Sequence, residues 1–363
     1  MNYAEHEQSQ DDISRIITEN NTQKNMKLKK RQIALLIFLI VGTIYVAMTN
    51  DKPAAPQVRR FSERIFGTTM NVTYTYSQDL HDTIMACLRK VDASLSMFNP
   101  QSTISRINRG ESDTLDTNLL TILPIAQRIS EVTNGAFDIT VAPLVNAWGF
   151  GFKQGQLPTD AQVDSLRALV DYRNICLQEG RIVKAIPNIV IDLSAIAKGF
   201  GTDQVADLLT QYGIQDYMVE IGGEIVCRGS NPKGEAWHIG INRPVEDSTG
   251  TNNEVQEIIN VHNRAMATSG NYRNFYTTKD GLKVSHTIDP ASGRPVRHSL
   301  LSSTVLAPTC TMADAFATSF MVMGLDKAKE ILAKHPELHA YFIYTDSTGT
   351  YQTWQNIKSE EQP

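Results

Sequence analysis

The segment Ile189–Glu224, IVIDLSAIAKGFGTDQVADLLTQYGIQDYMVEIGGE, decides the fold of this chain. A short apolar run over Ile189–Asp192 predicts a strand, and Ser194 then offers a hydroxyl as the N-cap of a helix. The helix is expected to end near Tyr212, where a glycine follows. A second apolar run, Ile214–Glu220, predicts the next strand, so the segment is expected to fold as strand, helix and strand.

The start of this helix has the features of an anion site. The first N–H groups of a helix have no partner within the helix and attract negative charge. Lys198 adds a positive charge, and Gly199 and Gly201 allow a ligand to approach the backbone closely. The pattern therefore predicts a site for a diphosphate.

Length and composition set the class of protein. The chain has 363 residues, 41% of them hydrophobic and 20% charged, which is typical of a globular protein with two packed lobes. A net charge of −5, without a basic block in the main body, argues against a nucleic-acid partner. Four dispersed cysteines without a C-x-x-C pair disfavour a zinc site or a dense disulfide scaffold.

The N-terminal region predicts export. A polar and basic tail, 1–32, precedes the uncharged run 33–48, IALLIFLIVGTIYVAM, and a proline-containing linker, 49–58. A basic flank before an apolar run places the preceding tail in the cytoplasm and the following body, 59–357, across the membrane. We expect a single-pass anchor in the inner membrane, with the body on the periplasmic side. The run is short, so a cleaved signal peptide is the alternative, and Met26 is an alternative start.

The body is predicted to be an α+β fold. Helical and strand patterns alternate along it, but without the regular period of βαβ units. Aromatic residues and glycines are dense in FDITVAPLVNAWGFGF, where Trp148 is expected to be a buried core residue on local grounds.

Asp314 and Thr318 are candidates for metal binding. They are four residues apart in an otherwise apolar helical segment, so both point from one face of the helix. A carboxylate and a hydroxyl are oxygen ligands of the kind that Mg²⁺ takes. Thr311 and Asp314 also match a capping box, in which Asp314 would cap its own helix instead.

His286 is a candidate general base. It lies in SHTIDP, between a strand end and an Asp-Pro turn, and histidine takes up a proton near neutral pH. The alternative is a structural histidine bonded to Asp289.

Taken together, the motifs resemble one family. From about Phe61 to Tyr351 the chain resembles the ApbE family, the FAD:protein FMN transferases. The motifs that carry the resemblance stand in the family's order: FGTTMNVTY, FDITVAPLVNAWGFG, IDLSAIAKGFGTDQVADLL, YMVEIGGEI, IGINRP, ATSGNYRNFY, SHTIDPASGRP and TMADAFATSFMVMG.

The resemblance implies an activity. FAD would bind in a cleft between two lobes, with Mg²⁺, or alternatively Mn²⁺, at its diphosphate. The FMN half would pass to a threonine hydroxyl of a target protein, and AMP would be released. The targets implied are flavin-carrying subunits of membrane redox complexes. Many relatives carry a lipoprotein cysteine after the export signal, and this chain has none there.

The resemblance also assigns roles to individual residues. The metal ligands would be Asp314, Thr318 and the backbone carbonyl of Ala195, and His286 would assist the attacking hydroxyl. The remaining residues would contact the nucleotide. Lys198 and Gly199 would lie against the diphosphate, and Glu220, Gly222 and Gly223 would form a strand end that contacts the nucleotide. Trp148, Phe98 and Met70 would line the flavin and adenine pocket.

Three other functions would use parts of the same sequence. A hydrolase would use water in place of the threonine and split FAD into FMN and AMP. A flavin-binding protein without chemistry would not need Asp314, Thr318 or His286. A membrane-anchored interaction domain would leave the recurring aromatic, glycine and carboxylate motifs unexplained.

Overall fold

The computed structural model describes residues 30–50, 56–150, 157–244, 254–271, 275–277 and 283–357. Contacts divide the chain into two compact units, Met1–Ala55 and Pro56–Pro363. In the first unit, helix α1, Lys30–Asn50, covers the predicted membrane segment 33–48. Within the described ranges, no helix is both long and apolar enough to cross a bilayer, so the predicted membrane helix is not supported.

The second unit is built on an eight-stranded sheet in the order β1-β2-β5-β6-β9-β14-β15-β16, in which every neighbouring pair is antiparallel. Its strands are β1 Gln57–Ile65, β2 Thr68–Tyr76, β5 Tyr217–Ile221, β6 Glu224–Arg228, β9 Arg264–Gly270, β14 Leu300–Ala307, β15 His339–Thr345 and β16 Tyr351–Gln355. The mixture of helices and strands confirms the predicted mixed fold. The contacts group Pro56–Pro363 into one unit, so the predicted pair of lobes is not resolved as separate units.

The described residues also form four two-stranded ribbons: β3 Ile175–Gln178 with β4 Arg181–Lys184, β7 Trp237–Asn242 with β8 Val255–Val261, β10 Phe275–Thr277 with β11 Lys283–Ser285, and β12 Ile288–Asp289 with β13 Arg294–Pro295. The helices of this unit are α2 His81–Leu95, α3 Thr103–Asn108, α4 Thr117–Val132, α5 Ala142–Ala147, α6 Asp160–Arg167, α7 Ala197–Gln211, α8 Cys310–Met323 and α9 Leu325–Lys334.

The two faces of the sheet bury different partners. In β6, Val226 belongs to a cluster that includes residues of α2 and α7, whereas Ile225 and Cys227 belong to a cluster with the β7–β8 ribbon. This division follows from the strand period, because successive side chains point to opposite faces. Helices therefore cover one face of the sheet, and the ribbon covers the other.

The chain before α7 differs from the prediction. Residues 189–193 form no regular strand, because their backbone bonds to partners other than a neighbouring strand. The Asn108 side chain donates to the Ile191 carbonyl and accepts from the Ile191 N–H, each at 2.8 Å, and Asp192 N–H donates to the Ile139 carbonyl. These bonds hold the segment extended at the edge of the candidate site.

Candidate active site

A cavity of about 640 Å³ opens where β5, β6, β7 and β9 meet α7 and α8. Its volume is within the range of roughly 300–1,000 Å³ that is typical of small-molecule sites. Eight of the residues that the sequence singles out line it: Ala195, Lys198, Glu220, Gly222, Gly223, His286, Asp314 and Thr318. The fold therefore brings together residues from four separate motifs.

Helix α8 places Asp314 and Thr318 on the cavity wall, as the four-residue spacing predicts. Thr309 is the N-cap of this helix, and its side chain accepts from the Met312 N–H. Thr311 and Asp314 both lie inside the helix, so the capping-box alternative is wrong. The Thr318 hydroxyl is 3.1 Å from the Ser269 hydroxyl of β9, which fixes its position.

A cluster of charges lies at the base of the cavity. Lys198 Nζ is 2.5 Å from Glu224 Oε2, and Asp314 is the second carboxylate that interacts with this ammonium group. Burial raises the pKa of Glu224 to about 8, and repulsion from Asp314 adds to the effect. Burial likewise raises the pKa of Asp314. Burial lowers the pKa of Lys198, but the two carboxylates outweigh this and leave its pKa raised.

This cluster suits a cation. Asp314 and Glu224 are only 4% and 2% exposed, and Lys198 is the cation that acts on both. One ammonium group does not fully offset two buried carboxylates, so their pKa values rise and the cluster takes up a proton, which a bound cation would replace. Within the described ranges, no group of three or more His, Cys, Asp or Glu side chains could hold a metal. A hydroxyl, backbone carbonyls, water or substrate oxygens would have to complete the coordination of a metal at Asp314.

The start of α7 is capped from another helix. Ile196 is the N-cap residue and makes no side-chain capping bond, so the prediction of Ser194 in this role is wrong. The Gly199 N–H instead donates to Asp314 Oδ2 at 2.9 Å. Gly199, predicted to contact the diphosphate, is buried and does not line the cavity, and its N–H is bonded to Asp314.

The glycine turn between β5 and β6 shapes the opposite wall. Gly222 and Gly223 have φ angles of +65° and +102°, which glycine adopts at little cost. Glu220 accepts from the Gly223 N–H at 2.9 Å and from the Asn71 side-chain amide. These bonds hold the turn against the cavity.

His286 lies on the cavity wall between β11 and β12, with its ring centroid 6.3 Å from that of Phe150 in an edge-to-face arrangement. The Asp289 carboxylate accepts from the backbone N–H groups of Ala291 and Ser292 and so stabilises the following turn. His286 is positioned to meet a ligand that enters the cavity.

Three predicted pocket residues do not line this cavity. Met70, a residue of β2, is fully buried in the core. Trp148 is 7% exposed, packs in a small apolar cluster and donates from Nε1 to the Gly293 carbonyl, as its local sequence favours. Phe98 is 77% exposed and lines a second cavity of about 540 Å³, which adjoins the first at Ser194 and Lys198.

Several residues at the site were not predicted to have their observed roles. Glu224 pairs with Lys198, Ser269 holds Thr318, and Asp203 accepts from the backbone of α8. The sequence offers one signal for Asp203, since it follows Gly199 by four residues and so shares its helix face. The other two contacts join segments that are distant in sequence.

Comparison with known proteins identifies the family. The model of the ApbE family matches residues 66–342. The chain belongs to the ApbE family. Among its relatives, the FAD:protein FMN transferase of Haemophilus influenzae is 38% identical over 331 residues, which cover 86% of this chain and 94% of the relative. The FAD:protein FMN transferase of Vibrio cholerae is 40% identical over 292 residues, covering 77% and 85%.

Solved structures of the ApbE family share the fold. The flavin transferase ApbE from Vibrio cholerae matches with a TM-score of 0.74 and 35% identity, over 83% of this chain and 97% of that one. The apo form of the Pseudomonas stutzeri flavinyl transferase ApbE also matches with a TM-score of 0.74, at 31% identity, over 83% and 95%.

Proposed function

We propose that this chain transfers the FMN half of FAD to a threonine hydroxyl of a target protein and releases AMP. The family and the names of its relatives support flavin transfer. One observation carries the finer proposal: a single cavity holds Lys198, Asp314, Thr318 and His286 together. A site for binding alone would not require a buried carboxylate cluster and a histidine in the same cavity.

The buried charges favour a diphosphate substrate together with a cation. Lys198 remains protonated at neutral pH, since the neighbouring carboxylates raise its pKa, and it would attract phosphate oxygens. Asp314, Thr318 and the carbonyl of Ala195 would hold Mg²⁺ or, alternatively, Mn²⁺. When bound, the metal ion would neutralise charge on the diphosphate. Asp314 and Lys198 would then orient the substrate between α7 and α8.

His286 would act on the attacking group. The threonine oxygen forms a bond to the phosphorus of the FMN half, and the bond from this phosphorus to the bridging oxygen breaks. The threonine proton passes to His286, and the electron pair of the broken bond leaves with AMP. AMP departs as a stable phosphate, so its release requires little protonation.

The test uses the purified full-length chain with FAD, Mg²⁺ and an acceptor protein that carries the threonine. The intact mass of the acceptor is measured, and FMN and AMP are followed in the same mixture. A mass gain equal to FMN that EDTA abolishes is the expected result. Free FMN and AMP with an unmodified acceptor would indicate a hydrolase instead, and unchanged FAD would indicate binding alone.

We also propose that the body works on the periplasmic side of the inner membrane, on subunits of membrane redox complexes. The support is the basic cluster before the apolar run 33–48. Alkaline phosphatase fused after residue 357 should be active in cells if the body is exported, and inactive if it remains in the cytoplasm. The mass of the mature N-terminus would then distinguish a cleaved signal from a retained anchor.

A further inference from the structure

The side chain of Asp203, in the second turn of α7, reaches the start of α8. Its Oδ1 accepts from the Cys310 N–H at 2.8 Å. Its Oδ2 accepts from the Thr311 N–H at 2.8 Å and from the Thr311 hydroxyl at 2.5 Å. Part of the residue remains accessible, but its carboxyl end is enclosed by these groups.

These bonds complete the capping of α8. The N–H groups of the first helical turn have no partner inside the helix and need one elsewhere. Thr309 supplies an acceptor for Met312 and for Ala313, through its side chain and its carbonyl. Asp203 supplies the acceptors for the two remaining groups, on Cys310 and Thr311.

Helix α8 in turn supplies a carboxylate to the first turn of α7. Helix α7 begins without a side-chain cap of its own, and Asp314 of α8 accepts from its Gly199 N–H at 2.9 Å. Each helix therefore gives one carboxylate to the first turn of the other. Anionic groups at helix N-termini are favoured by the helix dipole as well as by the hydrogen bonds.

We propose that Asp203 is a positioning residue. Its bonds to the Cys310 and Thr311 N–H groups, together with the bond from the Gly199 N–H to Asp314, form a reciprocal clamp between α7 and α8. The clamp fixes where α8 lies along α7 and so the position of Asp314 in the cavity. The clamp is inferred from the observed hydrogen bonds alone, whereas its effect on turnover rests on the proposed function. Burial raises the pKa of Asp203 to about 6, so the carboxylate is ionised at neutral pH and acts only as an acceptor.

The test compares Asp203→Asn with a matched control, Asp207→Asn, which changes an exposed aspartate one turn later in α7. An asparagine keeps the size of the side chain but replaces one acceptor oxygen with a donor. Amide hydrogen exchange is measured in peptides that cover 309–313 and 196–203 of the full-length chain. We expect exchange to accelerate at least about fivefold in both peptides for Asp203→Asn, and in neither for the control.

The Gly199 amide in peptide 196–203 decides the question, and because this peptide contains residue 203, its exchange is corrected for the intrinsic rate of the substituted sequence. An Asp203 that only capped α8 locally would change 309–313 and leave the Gly199 amide protected, which would overturn the clamp. If Asp203→Asn does not fold, Thr311→Val removes a single bond of the clamp and should give a smaller change in both peptides. An unchanged 196–203 peptide in that variant also contradicts the proposal.

The turnover number provides a second test. If the clamp places Asp314, Asp203→Asn should lower kcat about tenfold or more, while KM for FAD changes by less than about threefold. An unchanged kcat in a folded variant that shows accelerated exchange would refute the positioning role. Because exchange needs neither FAD nor an acceptor, it tests the clamp even if the chain proves not to be a flavin transferase.

Discussion

Among single residues, Asp314 has two roles. It accepts from the Gly199 N–H, and it lines the cavity beside Lys198 and Thr318. One structural bond therefore fixes the carboxylate that we propose as a metal ligand. A substitution there removes both the ligand and part of the clamp, so the choice of variant determines what is learned.

We expect Asp314→Ala to abolish transfer, and Asp314→Asn to lower kcat by about two orders of magnitude or more, because charge stabilisation at the diphosphate is lost. The rate of acceptor labelling at saturating Mg²⁺ is the measurement. Asp326→Ala, an exposed aspartate in the first turn of α9, is the control and should retain normal activity. A near-normal rate for Asp314→Ala would exclude it as a metal ligand.

Glu224 predicts a pH dependence of stability. Its pKa is about 8 in the folded protein and 4.5 in the unfolded chain, so between these values the folded state retains a proton that the unfolded state has lost. The Glu224 contribution to the free energy of unfolding is therefore fully present below pH 4.5 and is lost as the pH rises through 8.

In Glu224→Gln this loss should disappear, so the unfolding temperature should depend less on pH between about pH 5 and 8 than in the natural chain. Calorimetry of both proteins across this range provides the measurement. Glu235→Gln, an exposed position, should keep the natural slope. Parallel curves for the natural chain and Glu224→Gln would show that the carboxyl group is not perturbed.

Among the elements, the close approach of α7 to α8 depends on Gly199. A Cβ atom built there would overlap the Cys310 carbonyl and lie 2.8 Å from the Asp314 Cβ. The carbonyl belongs to the backbone of α8, so relief would require the helices to separate. Separation would lengthen the bond between Asp314 and the Gly199 amide.

We expect Gly199→Ala to lower the free energy of unfolding by about 1–3 kcal/mol, since overpacking outweighs the gain in helix propensity of about 1 kcal/mol. Urea unfolding measures the change. Gly42→Ala adds a methyl group that meets no heavy atom within 4 Å, so it should not destabilise the chain. A Gly199→Ala variant as stable as the natural chain would show that the helices can move apart freely.

Local patterns predicted many of the elements. Helix α7 ends at Gln211, next to the predicted end near Tyr212, and strand β5, Tyr217–Ile221, lies where the apolar run Ile214–Glu220 predicted one. The capping role of Ser194 was wrong for a physical reason: the acceptor for the Gly199 N–H comes from a residue 115 positions away in the chain. No local propensity contains that information.

For the whole molecule, FAD binding should stabilise the fold by mass action. A ligand at about 100 times its dissociation constant adds about 2.7 kcal/mol to the free energy of unfolding. We expect FAD with Mg²⁺ to raise the unfolding temperature of the full-length chain in differential scanning fluorimetry. Riboflavin, which lacks the diphosphate, should raise it much less, and equal shifts would contradict a diphosphate contact at Lys198.

The site residues could be predicted where whole motifs line one cavity, but not where packing between distant segments determines which side chains reach it. Lys198, His286 and Asp314 were found from the resemblance and from their chemistry, and all three line the cavity. Met70 does not line the cavity, because strand alternation in β2 turns its side chain into the core that the helices cover. Phe98 lines the adjoining cavity, a division of space that sequence spacing does not reveal.

The two helices of the clamp lie far apart in the chain, Ala197–Gln211 and Cys310–Met323, and this has a consequence for synthesis. While the ribosome is still making the C-terminal third, the Gly199 amide and the Asp203 carboxylate have no partners. A polypeptide interrupted before Cys310 would lack the wall that carries Asp314 and Thr318. Ligand retention at this cavity should therefore separate completed molecules from truncated ones during purification.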